Sequence, residues 1–289
     1  MSRIITMPTS PNFVQSTFRL NYTVATSASP FSGKTKTQEF DRVFWEADVQ
    51  TPPMNRSTFS QWQAWITRLK GGVNHFQFAD PDALTNTGTY GAATLKTASR
   101  VTNASVTLSF ATNTITAGAN TFGSNVVGDY IHVSGANNAE NNGTHKITTA
   151  TSATVVVVDT DLTTESNTAS CTVDDNVKGA EGLNLTADSN SSSGTIKQGD
   201  YLAVLSSTSD VDSNPVQYLL VTEDATASGS NPVKYGVRTQ PKLRTSPTNG
   251  TRVRFTSPKG RFRLNDNSVE WTANRSSIYT LSFSCHEVI

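Results

Sequence analysis

The side chains that could do chemistry are few and scattered. The four histidines, His75, His132, His145 and His286, form no HxH or HExxH motif and no cluster with cysteine, so none has the spacing of a metal site. His132 and His145 fall on neighbouring predicted strands and could pair across them. Asp210-Val-Asp212-Ser-Asn214 begins like a calcium loop, but its sixth position is Pro215 and its twelfth is Val221. A calcium loop needs glycine at the sharp turn and a bidentate glutamate to close the shell, so the stretch reads as a turn. Asp159, Asp161 and Glu165 follow a valine run and could hold a cation weakly; a solvated loop is the plainer reading. No GxSxG elbow, P-loop or dinucleotide glycine pattern occurs. Carboxylate pairs for glycoside hydrolysis are placed by the fold, and no pair stands out. The expectation is a chain that is not an enzyme, with no catalytic, metal or cofactor-binding residues.

What must such a chain build instead? Hydrophobic residues make up 35% and charged residues 16% of the 289, too little charge for polyelectrolyte disorder and a balance suited to β-structure with Ser/Thr/Asn loops. The length allows two or three domains. Cys171 and Cys285 lie far apart and read as two buried thiols rather than a disulfide. With no leader pattern and no apolar run long enough to span a bilayer, the reading is a soluble product made in a cytosol.

Net charge is zero, yet its distribution is uneven. Asp129 to Asp224 carries fourteen acids against three lysines, while Ala225 to Asn265 carries nine basic residues and no acid. Arg252 and Arg254 flank Val253, and Arg261 and Arg263 flank Phe262, so strand alternation puts each pair on one face. With Arg238 and Arg244 they are candidates for a protein interface; a solvated face and a nucleic-acid contact are the alternatives.

Strand signals run through most of the chain. Phe13–Val24 partly alternates, a loop follows at Ser29-Pro30, and from Val43 the odd positions of QEFDRVFWEADVQ are apolar, Trp45 among them. Thr51-Pro52-Pro53 stops that strand. FSQWQAWITRLKGG is the one amphipathic helix: Phe59, Trp62, Trp65, Ile66 and Leu69 share a face, Asn55 or Ser57 can cap it, and Gly71 or Gly72 supplies the left-handed stop. VNHFQFADP follows as a strand with Val73 in line with Phe76 or Phe78. The helix is a lid on a sheet, with core packing as the role of its aromatics.

Residues 85–104 read as a linker. Ser105–Val173 reads as short strands of a small inserted β-domain, with Val155–Val158 buried on both faces. GDYIHVSG at 128–135 and GDYLAVLS at 199–206 share a phrase that is either a weak internal repeat or common turn chemistry, the latter preferred. Tyr279, Leu281, Phe283 and Cys285 share one face of a final strand. The expected organisation is mainly β, with sandwich- or barrel-like domains: 1–94 as a strand–helix–strand part, 95–176 as the insert, and 177–289 as a β-region completing the first part with a second small barrel.

The segment FWEADVQTPPMNRSTFSQWQAWITRLKGGVNHFQFADP, the turn at Pro241–Arg244, the strand at Pro258–Leu264 and the aromatic end from Trp271 to Phe283 together resemble the distal tail proteins of long-tailed bacteriophages. The matching pieces cover about half the chain, and residues 95 to 175 depart from the compact pattern. The resemblance implies a virion structural protein of the tail tip or baseplate, made in the host cytoplasm. It implies a homohexameric ring joining the tail tube protein to the hub protein, with outward domains meeting tail fibres or host surface glycans. Trp45, Phe59, Trp62, Trp65, Leu69, Phe76 and Phe78 would form its platform. A carbohydrate- or receptor-binding module, with Trp271 or Tyr130 as stacking residues, is the alternative; a tail-associated polysaccharide-degrading enzyme is a third.

Overall fold

A computed structural model describes residues 2–89, 95–187, 194–208, 214–228, 232–268, 270–274 and 277–288. In chain order the strands are β1 (Gln15–Ala28), β2 (Thr35–Gln50), β3 (Phe76–Phe78), β4 (Leu95–Thr97), β5 (Thr102–Ala117), β6 (Tyr130–Ser134), β7 (Gly143–Ser152), β8 (Val155–Asp174), β9 (Gly182–Ala187) and β10 (Thr195–Ile196). They continue as β11 (Tyr201–Leu205), β12 (Pro215–Val221), β13 (Ala225–Thr226), β14 (Lys234–Gln240), β15 (Arg252–Arg254), β16 (Gly260–Leu264), β17 (Thr272–Ala273), β18 (Tyr279–Thr280) and β19 (Ser282–Glu287). One α-helix, α1 (Arg56–Leu69), stands among them in the described residues. The protein is mainly β.

Contacts divide the chain into two compact units, Met1–Leu84 with Lys259–Ile289, and Thr85–Pro258. The sequence set its divisions at 94 and 176; the contacts set them at 84 and 258. The reason is pairing. β4 lies between β9 and β15, so the stretch read as a linker contributes a strand to the second unit. Its three residues, with Leu95 and Thr97 buried around Lys96, are too short for alternation to show.

The first unit is an antiparallel sheet in the order β1-β2-β19-β16-β3. Val43, Trp45, Ala47 and Val49 point into the core, as alternation requires. α1 covers that face. Phe59, Trp62, Trp65, Ile66 and Leu69 are all buried, and Trp65 meets Phe76 and Phe283 with ring centres 5.1 and 5.3 Å apart. Phe59 stacks on Tyr279 at 4.5 Å, and the Trp62 Nε1–H donates to the Ser10 carbonyl at 3.0 Å. Asn55 is the cap, its side chain accepting from the Thr58 N–H at 3.0 Å. The left-handed stop begins one residue earlier than the glycines, at Lys70 (φ 52°), and Gly71 follows it at φ 64°. Val73 is exposed and lies outside β3, because the chain is still leaving the helix there.

The second unit holds a closed barrel, β11-β12-β14-β9-β4-β15, and a four-stranded sheet, β5-β8-β6-β7. Each has its own core. Leu183, Leu202, Leu219, Tyr235 and Val253 belong to the first; Leu108, Phe110, Ile131, Ile147 and Val156 belong to the second. Of the short strands read from the sequence, those at 105–117 merge into β5 and those at 153–173 into β8, while YIHVSG and THKITTA remain separate as β6 and β7; the β5–β8 pairing shifts register repeatedly. Ser105, Thr112 and Ser170 take left-handed conformations there, the local signature of bulges rather than ends. Val155–Val158 is not buried on both faces: Val156 and Val158 are inside, Val155 and Val157 half-exposed, because one face of the sheet is open.

Candidate functional site

The platform residues proposed from the sequence all sit in the interior of the first unit: Trp45, Phe59, Trp62, Trp65, Leu69, Phe76 and Phe78. The six candidate interface arginines do not form one group. Arg261 and Arg263 belong to the first unit, and Arg238, Arg244, Arg252 and Arg254 to the second. Val253 and Phe262 are buried between their flanking arginines, as alternation dictates.

Several of these arginines are engaged locally. Arg238 bridges Glu223 at 2.9 Å and Glu181 at 3.3 Å, and Glu223 also meets Lys146 at 3.5 Å. That network ties the sheet, through Lys146 on β7, to the barrel, through Arg238 on β14. Arg252 donates from Nε to the Thr208 carbonyl at 3.1 Å. Arg263 donates to His286 Nε2 at 2.7 Å, which requires that nitrogen to be unprotonated. Burial first, then Arg263 and Arg42, hold His286 below its usual pKa.

The remaining candidates resolve one by one. His132 and His145 do not pair: His132 Nδ1 meets the Thr144 hydroxyl at 3.1 Å, and His145 Nε2 meets the Asn141 carbonyl at 3.1 Å. Cys171 and Cys285 are free, buried thiols. Residues 210–213 of the calcium-like stretch lie outside the described residues. Glu165 is no cation ligand. Both its oxygens are taken by donors: the Asn137 and Asn138 N–H groups at 2.8 and 3.0 Å, the Asn138 and Asn141 amides at 3.1 and 2.9 Å, and the Thr168 hydroxyl. Burial opposes its ionisation, but these bonds more than offset that and hold its pKa at about 2. Tyr130 is buried, not a stacking surface, and burial followed by the Glu223 charge pushes its phenol upward. Trp271 is 39% exposed.

One site was invisible to motif reading. A cavity of about 490 Å³ in the second unit is lined by Asp129, Asp175, Thr186, Lys96 and Lys234 among others. Asp129 is 2% exposed. Its Oδ2 accepts from the Val126 N–H at 3.0 Å and faces Lys234 Nζ at 3.7 Å, while Oδ1 has no hydrogen-bond partner. Lys234 also donates to the Ser124 carbonyl at 2.8 Å. Burial, then the charge of Asp129, pushes the Asp175 carboxyl up to about 7, with Asn125 and Lys234 pulling the other way. Burial likewise raises Asp129. The Thr186 hydroxyl is buried and unbonded too. The only signal in the sequence was the repeated Gly-Asp-Tyr phrase that contains Asp129.

Among the described residues, no group of three or more His, Cys, Asp or Glu side chains is placed to hold a metal ion, and no helix is long and apolar enough to cross a membrane. Two carboxyls, Asp129 and Asp175, and two ammonium groups, Lys96 and Lys234, are among the residues that line the cavity. Compared with known proteins, the chain matches no family model, and no curated protein matches it in sequence.

Proposed function

We propose that the protein is a structural component of a bacteriophage tail tip, a ring subunit that joins the tail tube to the hub and carries peripheral fibres. In this reading it catalyses no reaction and works in the virion. The supporting observation is the outer half of the β1–β2 hairpin. β19 borders β2 only from Glu46 to Gln50, so beyond a bulge at Tyr22/Thr23 the ribbon Thr23–Ala28 with Thr35–Phe40 has no third strand among the described residues. It extends roughly 20 Å, at about 3.4 Å per residue. Both of its faces are exposed, and Tyr22, Val24, Phe40 and the fully exposed tip residue Phe31 present apolar surface.

A two-stranded ribbon is marginal in water by itself, and free edges with exposed apolar side chains favour pairing with another chain. A subunit that offers such an arm on one side and receives one on another makes a heterologous contact, which closes into a ring when the rotation allows. The test is the native mass of the purified chain at micromolar concentration. A hexamer is expected, falling to monomer when residues 24–39 are replaced by an Asn-Gly turn. A lone subunit for the unaltered chain, with no ring in images of virions, overturns the reading.

A further inference from the structure

Asp129 and Lys234 come from opposite sides of the joint between the sheet and the barrel. Asp129 ends the turn that leads into β6, and Lys234 opens β14. The two backbones are in close contact there, Gly236 of β14 against the Gly128 carbonyl. Lys234 Nζ stands 3.7 Å from Asp129 Oδ2, and only 3% of the Asp129 side chain is exposed. Other lysine–carboxylate pairs are solvated: Asp224 beside Lys197 and Glu223 beside Lys146 have 45% and 40% of their side chains exposed.

A second copy of the same turn shows how a carboxylate at this position is held as an ion. The Asp129 N–H donates to the Val126 carbonyl, and the Val126 N–H donates back to Asp129 Oδ2 at 3.0 Å. Asp200 repeats both bonds with Lys197. It then receives two further donors on Oδ1, the N–H and the hydroxyl of Thr87, at 2.7 and 2.8 Å. Asp129 Oδ1 is buried without any donor, a costly state for a carboxylate oxygen. What Asp129 has instead is an amine at its other oxygen.

We propose that Lys234 and Asp129 condense into an intramolecular isopeptide bond, which ties the barrel covalently to the sheet. The reacting forms are the free amine of Lys234 and the carboxylic acid of Asp129, one proton having passed from Nζ to Oδ1. The Nζ lone pair attacks Cγ and forms the C–N bond. Oδ2, held by the Val126 N–H, takes the negative charge of the tetrahedral intermediate. Nζ then gives up a proton, Oδ1 receives a second one, and the Cγ–Oδ1 bond breaks with loss of water. One amine and one acid become one amide and one water, with no oxidant or reductant. Asp175 is the proton carrier: it is buried and lines the same cavity as both partners. Its carboxyl, pushed up to about 7 by burial and then by Asp129, exchanges protons at neutral pH. Burial raises Asp129 as well, which favours the acid that the amine attacks. The product satisfies the atoms that remain. Oδ2 keeps the Val126 N–H, and the new amide N–H is left to donate to the Ser124 carbonyl, which Lys234 Nζ already meets at 2.8 Å. The oxygen without a partner has departed. Holding amine and acid together in one fold supplies the effective concentration that the free groups lack in water. The inference is independent of ring assembly and holds whether or not the subunits associate.

The test is the mass of the intact, denatured full chain. It should be lower than the sequence mass by one water, and a tryptic digest should leave Lys234 uncleaved and joined to the peptide that holds Asp129. Lys234→Arg keeps the positive charge but offers no free amine, because a guanidinium stays protonated. Where its melting curve shows a folded protein, it should have the full mass. Asp175→Asn, followed in time after cell-free synthesis, should link about a hundredfold more slowly. A parent chain that stays at its full mass after overnight incubation at neutral pH overturns the proposal. So does a loss of water that persists in Lys234→Arg, which would place the dehydration elsewhere. Linkage of Asp175→Asn at the parent rate overturns the role given to Asp175.

Discussion

Asn184 holds Tyr130 as a neighbouring strand would: its side-chain carbonyl accepts from the Tyr130 N–H at 2.7 Å, and its amide donates to the Tyr130 carbonyl at 2.8 Å. The Asn184 backbone is clasped in turn, donating to Asn176 Oδ1 at 2.6 Å and accepting from Asn176 Nδ2 at 3.0 Å. Two side-chain amides thereby replace peptide groups where the sheet meets the barrel, and no β-ladder is needed at that joint.

Removing that amide strands two buried backbone groups. Asn184→Ala is expected to cost about 2–4 kcal/mol, the penalty for leaving a donor and an acceptor unmet. Chemical denaturation measures it directly. A loss below about 1 kcal/mol would mean that water serves the groups equally well.

Close approach at the same joint depends on a missing side chain. A Cβ at Gly236 would lie 1.8 Å from the Gly128 carbonyl oxygen, which is backbone and cannot swing aside. Gly236→Ala should cost more than about 3 kcal/mol or prevent folding. Gly118→Ala, whose nearest neighbour would be the Thr107 Cβ at an ordinary 3.6 Å, should stay within about 1 kcal/mol of the parent. Thermal melting of the pair separates steric conflict from a general intolerance of alanine.

Trp62 is 1% exposed, edge-on to Phe13 at 5.7 Å, and bonded to Ser10. Trp62→Ala should destabilise the first unit by about 3–5 kcal/mol. An unchanged melting curve would show that the helix does not clamp this sheet.

Two carboxyls give opposite dependences on pH. Asp175 has its folded pKa raised to about 7, so between its ordinary value near 4 and that point the folded chain binds the extra proton. Stability must therefore fall as pH rises from about 4 to 7. Asp175→Asn, which stays neutral, should remove that decline and raise stability at alkaline pH. Glu165 is held at about 2, so its contribution is present above its ordinary value near 4.3 and is lost as pH falls towards 2. Glu165→Gln should abolish that acid-side loss and destabilise at neutral pH, because its amide places donors against donors. Melting temperature against pH, for the three proteins, reads both effects.

The elements legible in the sequence were those whose pattern repeats. The alternation around Trp45 and the three- and four-residue steps from Phe59 to Leu69 needed no partner to be recognised, because burial on one face imposes them. Leu95–Thr97 escaped notice because three residues cannot establish a period, and their strand exists only through β9 and β15. Tyr130 looked available for stacking, since nothing nearby in sequence reveals that Asn184 and the barrel lie against it. The cavity was hidden for the same reason: Asp129, Asp175, Thr186 and Lys234 come from four separated segments. The repeated Gly-Asp-Tyr phrase identified the turn but not that Thr87 crosses over the Asp200 carboxylate while Asp129 Oδ1 is buried without a partner.

The order of synthesis has a cost written into the first sheet. Its central strand, β19, is made last, and the excursion 85–258 leaves after β3 and returns at β16, which pairs beside it with Phe78 opposite Gly260. At roughly 5–20 residues per second, the ribosome needs about 10–40 s after β3 to deliver β19. Throughout that delay the nascent tryptophan-bearing helix has no finished surface to lie on. The excursion carries its own two cores, so it has apolar surface to bury while the first sheet still waits for its central strand.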